Sequence, residues 1–165
     1  MLWLRTALFT LVVPGTVVVF VPVALLATGV GPSFRFGPVR WVGLAPLVIG
    51  VAIILWCFAD FIRRGRGTPA PYDPPRNLVI SGLYRFVRNP QYLGVLLAVV
   101  GEALLAEAGI LLGYAAFLAI AYHHFVRHYE EPTLDRLFGE AYTRYREAVP
   151  RWLPRWPRRT GQQCR

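Results

Sequence analysis

Four apolar runs, at residues 7–27, 41–59, 92–106 and 108–126, leave this chain few ways to fold. Roughly 20 apolar residues, rising 1.5 Å each, cross a hydrocarbon core of about 30 Å. The first, second and fourth runs are about that long. The third is shorter and is followed at once by Glu107-Ala108-Gly109, so the third and fourth runs predict two antiparallel helices joined by a tight turn. Hydrophobic residues make up 55% of the 165 and mean hydropathy is +0.43, too apolar for a soluble domain of this size. The expectation is an all-α integral membrane protein with about four transmembrane helices, the third and fourth as a hairpin, plus a C-terminal amphipathic helix.

Little chain remains for a second domain, so residues 1–165 read as one. Within it, 1–61 carry the first two helices, 62–91 a cytoplasmic arm, 92–131 the hairpin and 132–165 the amphipathic helix and tail. The first run follows Arg5, as in a signal peptide. It is longer than a typical signal core, and Ala24-Leu25-Leu26-Ala27 lacks the small-x-small spacing of a cleavage site. It reads as a retained helix, bent or opened by Pro14-Gly15 and Pro22.

The formal charge is +9, and all 18 basic residues are arginine. Their positions argue against a nucleic-acid partner. Arg5, Arg35 and Arg40 lie at or before the start of the second run, whereas the other 15 fall in residues 62–91 or after Val126. Those two stretches face the same side if the chain crosses at each run. An arginine excess marks the cytoplasmic side, so both termini and the expected pocket are placed there, with some attraction to anionic membrane lipid. Cys57 inside a run and Cys164 near the end imply no disulfide framework.

Residues 67–77 carry four prolines, which forbid a continuous helix and favour a stiff extended arm. Beyond the fourth run, Leu134, Leu137, Phe138, Ala141, Tyr142 and Tyr145 recur at helical spacing, with Arg136, Glu140, Arg144 and Glu147 on other faces. This predicts one amphipathic helix, with Pro132 in its first turn. Residues 149–159 mix Trp152 and Trp156 with arginines and prolines, a composition suited to anchoring at headgroup depth.

The chemistry concentrates at the rim of the third run. Tyr84, Arg85, Arg88, Asn89, Gln91 and Tyr92 place phenol, guanidinium and amide groups within a few residues. Asn89 precedes Pro90, so it is held extended at a helix N-terminus, where backbone amides suit a carboxylate. Glu130 and Glu131, beyond the fourth run, suit an amine or a sulfonium. Together they would hold a zwitterionic, amino-acid-like ligand with an aromatic part. The other reading of the same residues is a membrane rim: snorkelling arginines, an aromatic belt and a Glu–Arg pair.

The segment 77–94, the Glu130-Glu131 pair, and Leu137-Phe138-Gly139 followed by Tyr142, Tyr145 and Val149-Pro150 resemble the isoprenylcysteine carboxyl methyltransferase family. Its membrane-integral enzymes are related more distantly to phospholipid N-methyltransferases. The likeness covers the C-terminal half. It implies an S-adenosyl-L-methionine-dependent methyltransferase with a non-Rossmann cofactor pocket. The implied cofactor residues are Arg76, Asn77, Leu78, Val79, Tyr84, Arg88, Asn89, Pro90, Gln91 and Tyr92, completed by Glu130, with Glu131 as the alternative register. Many members have histidine where this chain has Asn89, which cannot titrate. Members that methylate a prenylcysteine carboxylate carry an arginine about one turn before the glutamate. That position is Val126 here, with Arg127 as neighbour, and Arg127 is the candidate for orienting the acceptor. The implied substrate is a lipophilic small-molecule or lipid-linked acceptor, a carboxylate or thiol-type anion, with a phospholipid amine as the alternative. A non-catalytic sensor or assembly subunit on the same scaffold is the alternative of another class.

Three other features compete for attention. Gly29-Val30-Gly31 lacks both the third glycine and the preceding strand of a dinucleotide fold. His123, His124 and His128 are the only three histidines, fewer than membrane di-iron enzymes need, so no metal is expected. Glu102, an acid inside the third run, has no assigned role.

Overall fold

The computed structural model describes residues 12–60, 63 and 78–156. Those residues form helices α1 (Val12–Ala27), α2 (Leu44–Asp60), α3 (Pro90–Leu105), α4 (Gly109–Phe125), α5 (Glu131–Phe138) and α6 (Glu140–Ala148). No strand occurs among them, and the one β-bridge joins Ser33 to Ala108. Two continuous helical stretches, Gly37–Asp60 with 24 residues and Gly109–Phe138 with 30, are long and apolar enough to cross a membrane. Helices α1 and α3 are shorter. Phe20, Val48, Leu55, Phe117 and Ile120 face outward and are exposed, as lipid-facing residues are.

The expected opening of α1 takes a definite form. After Pro14-Gly15, residues Thr16–Phe20 wind as a π-helix, and the Val21 N–H reaches back to the Thr16 carbonyl. The next residue, Pro22, has no N–H to continue that ladder. The Val17 carbonyl instead accepts the Tyr114 hydroxyl of α4 at 3.1 Å. A hydroxyl from a neighbouring helix thus satisfies a backbone group that proline leaves behind.

Helices α2 and α3 touch along their backbones. A Cβ on Gly43 would lie 2.6 Å from the Gly101 carbonyl oxygen, and one on Gly50 would lie 2.6 Å from the Ala98 nitrogen and also strike the Gly94 carbonyl. Gly43, just before α2, and Gly50 are seven residues apart, as are Gly94 and Gly101, so each side presents a small-residue seam to the other. The core beside this seam contains Ile54, Phe58, Val95, Val99, Ala115 and Leu118, with Val18 of α1 closing it.

The turn between α3 and α4 lies where Glu107-Ala108-Gly109 predicted it. Glu107 adopts φ +55, and its carboxylate accepts the Phe36 and Gly37 N–H groups at 2.6 and 3.0 Å. Phe34 N–H donates to the Glu107 carbonyl and Gly109 N–H to that of Pro32, both at 2.8 Å. One acidic turn residue therefore caps the 3-10 entry to α2 (Gly37–Gly43) and ties the two connections together.

Two expectations need correction. The C-terminal amphipathic stretch is not one helix. Gly139, at φ +51 and ψ −125, breaks it into α5 and α6, a conformation that essentially only glycine tolerates. Its apolar stripe consequently divides, with Tyr142 buried and Leu137 exposed. The fourth helix also does not stop at the acidic pair; a π-helical turn, Val126–Glu130, carries it into α5. The proline-rich arm, residues 67–77, lies outside the described residues.

Candidate functional site

The site begins with the 3-10 turn Gly82–Arg85, entered through Gly82 at φ +61. A side chain at Gly82 would collide with the Asp60 carboxylate at the end of α2, so this turn sits against α2. Tyr84 is buried there with Val79 and Cys57. Burial pushes its phenol well above the usual tyrosine range, which keeps it neutral. Its backbone carbonyl accepts the Tyr145 hydroxyl of α6 at 2.8 Å. Pro90 then starts α3 as a first-turn proline, with Asn89 in non-helical geometry before it.

A cavity of about 390 Å³ opens where α1, α3 and α4 meet this motif. Its polar wall is Tyr84, Arg88, Asn89, Gln91, Tyr92 and Glu130, and its apolar wall includes Val13, Val17, Val95, Tyr122 and Phe125. The two halves of the motif, 38 residues apart, join directly: the Tyr92 hydroxyl donates to Glu130 Oε2 at 2.9 Å. The Tyr92 ring packs on Tyr122, centroids 4.5 Å apart. Glu130 is the last residue of the π turn, and Glu131, one position on, points elsewhere.

Glu131 is buried in an ion cluster. Its Oε1 accepts from Arg88 Nη1 at 2.9 Å and from Arg151 Nε at 2.7 Å, and its Oε2 accepts from Arg151 Nη2 at 2.8 Å. The segment after α6 lies over the motif as a strap. Arg88 N–H donates to the Pro150 carbonyl at 2.9 Å and Arg155 N–H to that of Phe86 at 3.0 Å. Asn89 Nδ2 donates to the Arg151 carbonyl at 3.2 Å, and Trp152 Nε1 to His123 Nδ1 at 3.2 Å. Residues 151 and 152, which composition alone assigned to the headgroup layer, are half-buried and hydrogen-bonded to Glu131 and His123.

Of the sequence-predicted residues, Tyr84, Arg88, Asn89, Gln91, Tyr92 and Glu130 share this cavity. Arg76 and Asn77 lie outside the described residues. Val79 is buried beneath Tyr84 rather than lining the cavity, Leu78 is half-buried beside it in sequence, and Pro90 is buried at the helix start. Arg127 is exposed on the π turn and does not line the cavity. Sequence reasoning missed Arg151, whose pairing with Glu131 spans 20 residues without periodic signal. No three His, Cys, Asp or Glu side chains cluster for a metal among the described residues. His128 Nδ1 lies 2.9 Å from the His124 carbonyl of its own helix. Glu102 faces α1 in a separate cleft of about 340 Å³.

The donor set suits an α-amino-acid-bearing ligand with an aromatic base. Glu130 offers a carboxylate for an ammonium, Arg88 a buried guanidinium for a carboxylate, and Tyr84 and Tyr92 flat surfaces. The volume falls in the usual range for small-molecule sites, about 300–1,000 Å³.

Comparison with known proteins places the chain among methyltransferases by sequence. The profile of the phospholipid methyltransferase family matches residues 39–141. Protein-S-isoprenylcysteine O-methyltransferase A of Arabidopsis thaliana is 32% identical over 118 residues, 68% of this chain and 57% of that protein. A probable protein-S-isoprenylcysteine O-methyltransferase of Oryza sativa subsp. indica is 30% identical over 123 residues, 70% of this chain and 61% of its own length. Phosphatidylethanolamine N-methyltransferase of Aspergillus terreus is 29% identical over 93 residues, 54% of this chain and 8% of that protein. The chain thus spans about three-fifths of the plant relatives it matches. No solved structure matches it. With more than half its length matched to the family profile, the chain belongs to the phospholipid methyltransferase family, which includes its isoprenylcysteine O-methyltransferase relatives.

Proposed function

We propose that this is an integral-membrane methyltransferase that takes its methyl group from S-adenosyl-L-methionine and transfers it to a lipophilic acceptor. The observation that carries the reading is the Tyr92–Glu130 hydrogen bond, which joins two separated motif segments in one cavity that is polar on one wall and apolar on the other. Bound in such a cavity, the donor would supply an electrophilic methyl on a sulfonium. The chain's own residues then have little acid–base work to do. Glu130 receives the ammonium, with Tyr92 fixing the carboxylate's orientation. Asn89 and Gln91 contribute amide hydrogen bonds, and Tyr84 and Tyr122 give flat apolar surfaces. Val13, Val17, Val95 and Phe125 exclude water and leave room for an apolar tail, so catalysis rests on alignment and desolvation.

We favour an acceptor that is already nucleophilic at neutral pH, a prenylcysteine-like carboxylate or a thiol-type anion. No lysine occurs in the chain and position 89 is asparagine, while His123 is engaged by Trp152. These are groups that would otherwise deprotonate an ammonium acceptor. Arg127 keeps its proposed part as the residue that orients the acceptor; it lies exposed on the same π turn as Glu130, outside the cavity lining. The second reading, methylation of a phosphatidylethanolamine-type amine, is favoured by the Aspergillus terreus relative. The decisive experiment incubates membranes containing the protein with methyl-labelled donor and treats the products with mild alkali. A methyl ester releases labelled methanol; labelled N-methyl lipid as the sole product would reject the anionic acceptor.

The topology we propose has four crossings, with α3 and α4 as a hairpin, both termini and the cavity cytoplasmic, and the Glu107 turn on the far side. It rests on the arginine distribution. Single-cysteine variants at Thr68 and Ala108, made without Cys57 and Cys164, should label from opposite sides. Labelling from one side would reject it.

A further inference from the structure

We propose that Arg88 is the carboxylate-receiving residue of this cavity, and that Glu131 and Arg151 are positioning residues that hold its guanidinium in place. The inference rests on the cavity being the methyl-transfer site.

Three observations lead to it. The Arg88 side chain is only 9% exposed, yet only one edge of its guanidinium is used. Nη1 donates to Glu131 Oε1 at 2.9 Å and more weakly to the Tyr142 hydroxyl at 3.4 Å. Its Nε is closed off with no partner among the described residues, and its Nη2, which is not closed off, makes no hydrogen bond there either, while Arg88 lines the cavity. A buried guanidinium N–H without an acceptor is costly, and native structures rarely keep one unless something else fills it. The second observation is charge. Two arginines share one carboxylate in the Arg88–Glu131–Arg151 cluster, so the cluster keeps one positive charge beside the cavity. With the Glu130 carboxylate lining the same cavity, the complement is a ligand that carries both charges.

The third observation concerns Glu131. Both of its oxygens are already taken by arginines, which leaves it poorly placed to bind a ligand directly. Its geometry is that of a buttress. Arg151 grips both oxygens, and the Asn89 and Arg88 bonds to the strap fix the same region from the backbone side. A guanidinium held at Nη1 offers Nη2 in a fixed plane, which suits a carboxylate oxygen. With Glu130 on the same cavity, the pair forms a binding site for both charges of an α-amino acid. The carboxylate can come from the methyl donor or from the acceptor, and the two sources are separable.

The test uses the full chain in detergent. Titration calorimetry compares affinity for S-adenosyl-L-methionine with that for its decarboxylated form, which differs only by the carboxylate. The unaltered chain should prefer the carboxylate-bearing donor by about tenfold or more, the size expected of a charge-assisted hydrogen bond. Arg88→Met should bring the two affinities together. Arg88→Lys should restore part of the preference, and Glu131→Gln and Arg151→Met should erode it while Arg88 is still present. Should Arg88→Met not fold, the lysine and Arg151→Met variants carry the comparison. If the donor preference is unmoved and Arg88→Lys raises KM for a carboxylate acceptor with little change in kcat, the acceptor is the source and the proposal stands. Equal loss for both donor forms with unchanged acceptor KM would make Arg88 a packing residue and overturn it. An unaltered chain that binds neither donor form overturns the methyl-donor reading, and this inference with it.

Discussion

Replacing Gly50 by alanine should loosen the protein and slow methyl transfer through one displacement. The added Cβ would sit 2.6 Å from the Ala98 nitrogen and against the Gly94 carbonyl. Neither contact is a flexible side chain, so α2 and α3 must separate. Forced overpacking of this kind costs about 1–3 kcal/mol, and a gap of roughly 0.5 Å forfeits about a quarter of each dispersion contact along the seam. Alanine returns about 0.8–1.0 kcal/mol of helix propensity over glycine. Two backbone clashes place the cost high in its range, so the net loss is roughly 1–2 kcal/mol. For a chain of this size that is a fall of about 2–8 °C in Tm. Gly94 is two residues from Tyr92, so the separation falls on the catalytic end of α3 and activity should drop about tenfold or more. Gly43→Ala supplies the control, because it clashes as badly with the Gly101 carbonyl, at 2.6 Å, but at the opposite end of α3. It should lose similar stability and much less activity. Gly113→Ala meets nothing within 4 Å and should be neutral or slightly stabilising. Thermal melts in detergent and methyl-transfer rates on the three variants decide the matter. A Gly50→Ala protein as stable as Gly113→Ala, or equal activity loss at Gly43 and Gly50, would refute the reasoning.

Glu131→Ala leaves Arg88 buried and unpaired and should cost about 3–5 kcal/mol. Arg151→Ala, whose side chain is 28% exposed and therefore partly screened, should cost about 1–2 kcal/mol; denaturation in detergent giving the reverse order would contradict the buttress geometry. Tyr114→Phe removes the hydroxyl that satisfies the Val17 carbonyl and should destabilise by about 0.6–1.7 kcal/mol, and an unchanged Tm would mean that carbonyl needs no partner.

Much of this architecture is legible because a bilayer imposes length and apolarity on anything that crosses it. The runs at 41–59 and 108–126 coincide with helices long enough to span, and the turn at Glu107 follows from an acid and a glycine between two apolar runs. The polar wall of the cavity is legible for the same reason, since Tyr84, Arg88, Asn89 and Tyr92 crowd the start of an apolar helix where uncompensated polar groups are costly. Other features depend on contacts that local pattern does not carry. Arg151 and Trp152 read as interfacial because arginine and tryptophan suit headgroup depth; only the fold brings them back onto Glu131 and His123. The distinction between Glu130 and Glu131 depends on a π turn, which adds a residue to the helical repeat and has no compositional signature. Two misses had a signal in the sequence. Glycines seven apart on both the second and third helices mark a backbone-to-backbone seam, and Gly139 inside the amphipathic stretch marks the break between α5 and α6.

The most direct test is equilibrium binding of S-adenosyl-L-methionine to the purified chain, with Glu130→Gln and Tyr92→Phe compared against the unaltered protein. Glu130→Gln removes the charge opposite the ammonium and should weaken affinity about tenfold or more, with Tm within a few degrees of the parent. Tyr92→Phe, which frees the Glu130 carboxylate without removing it, should weaken binding less. Unchanged affinity in both variants would contradict the assignment of this cavity as the donor site.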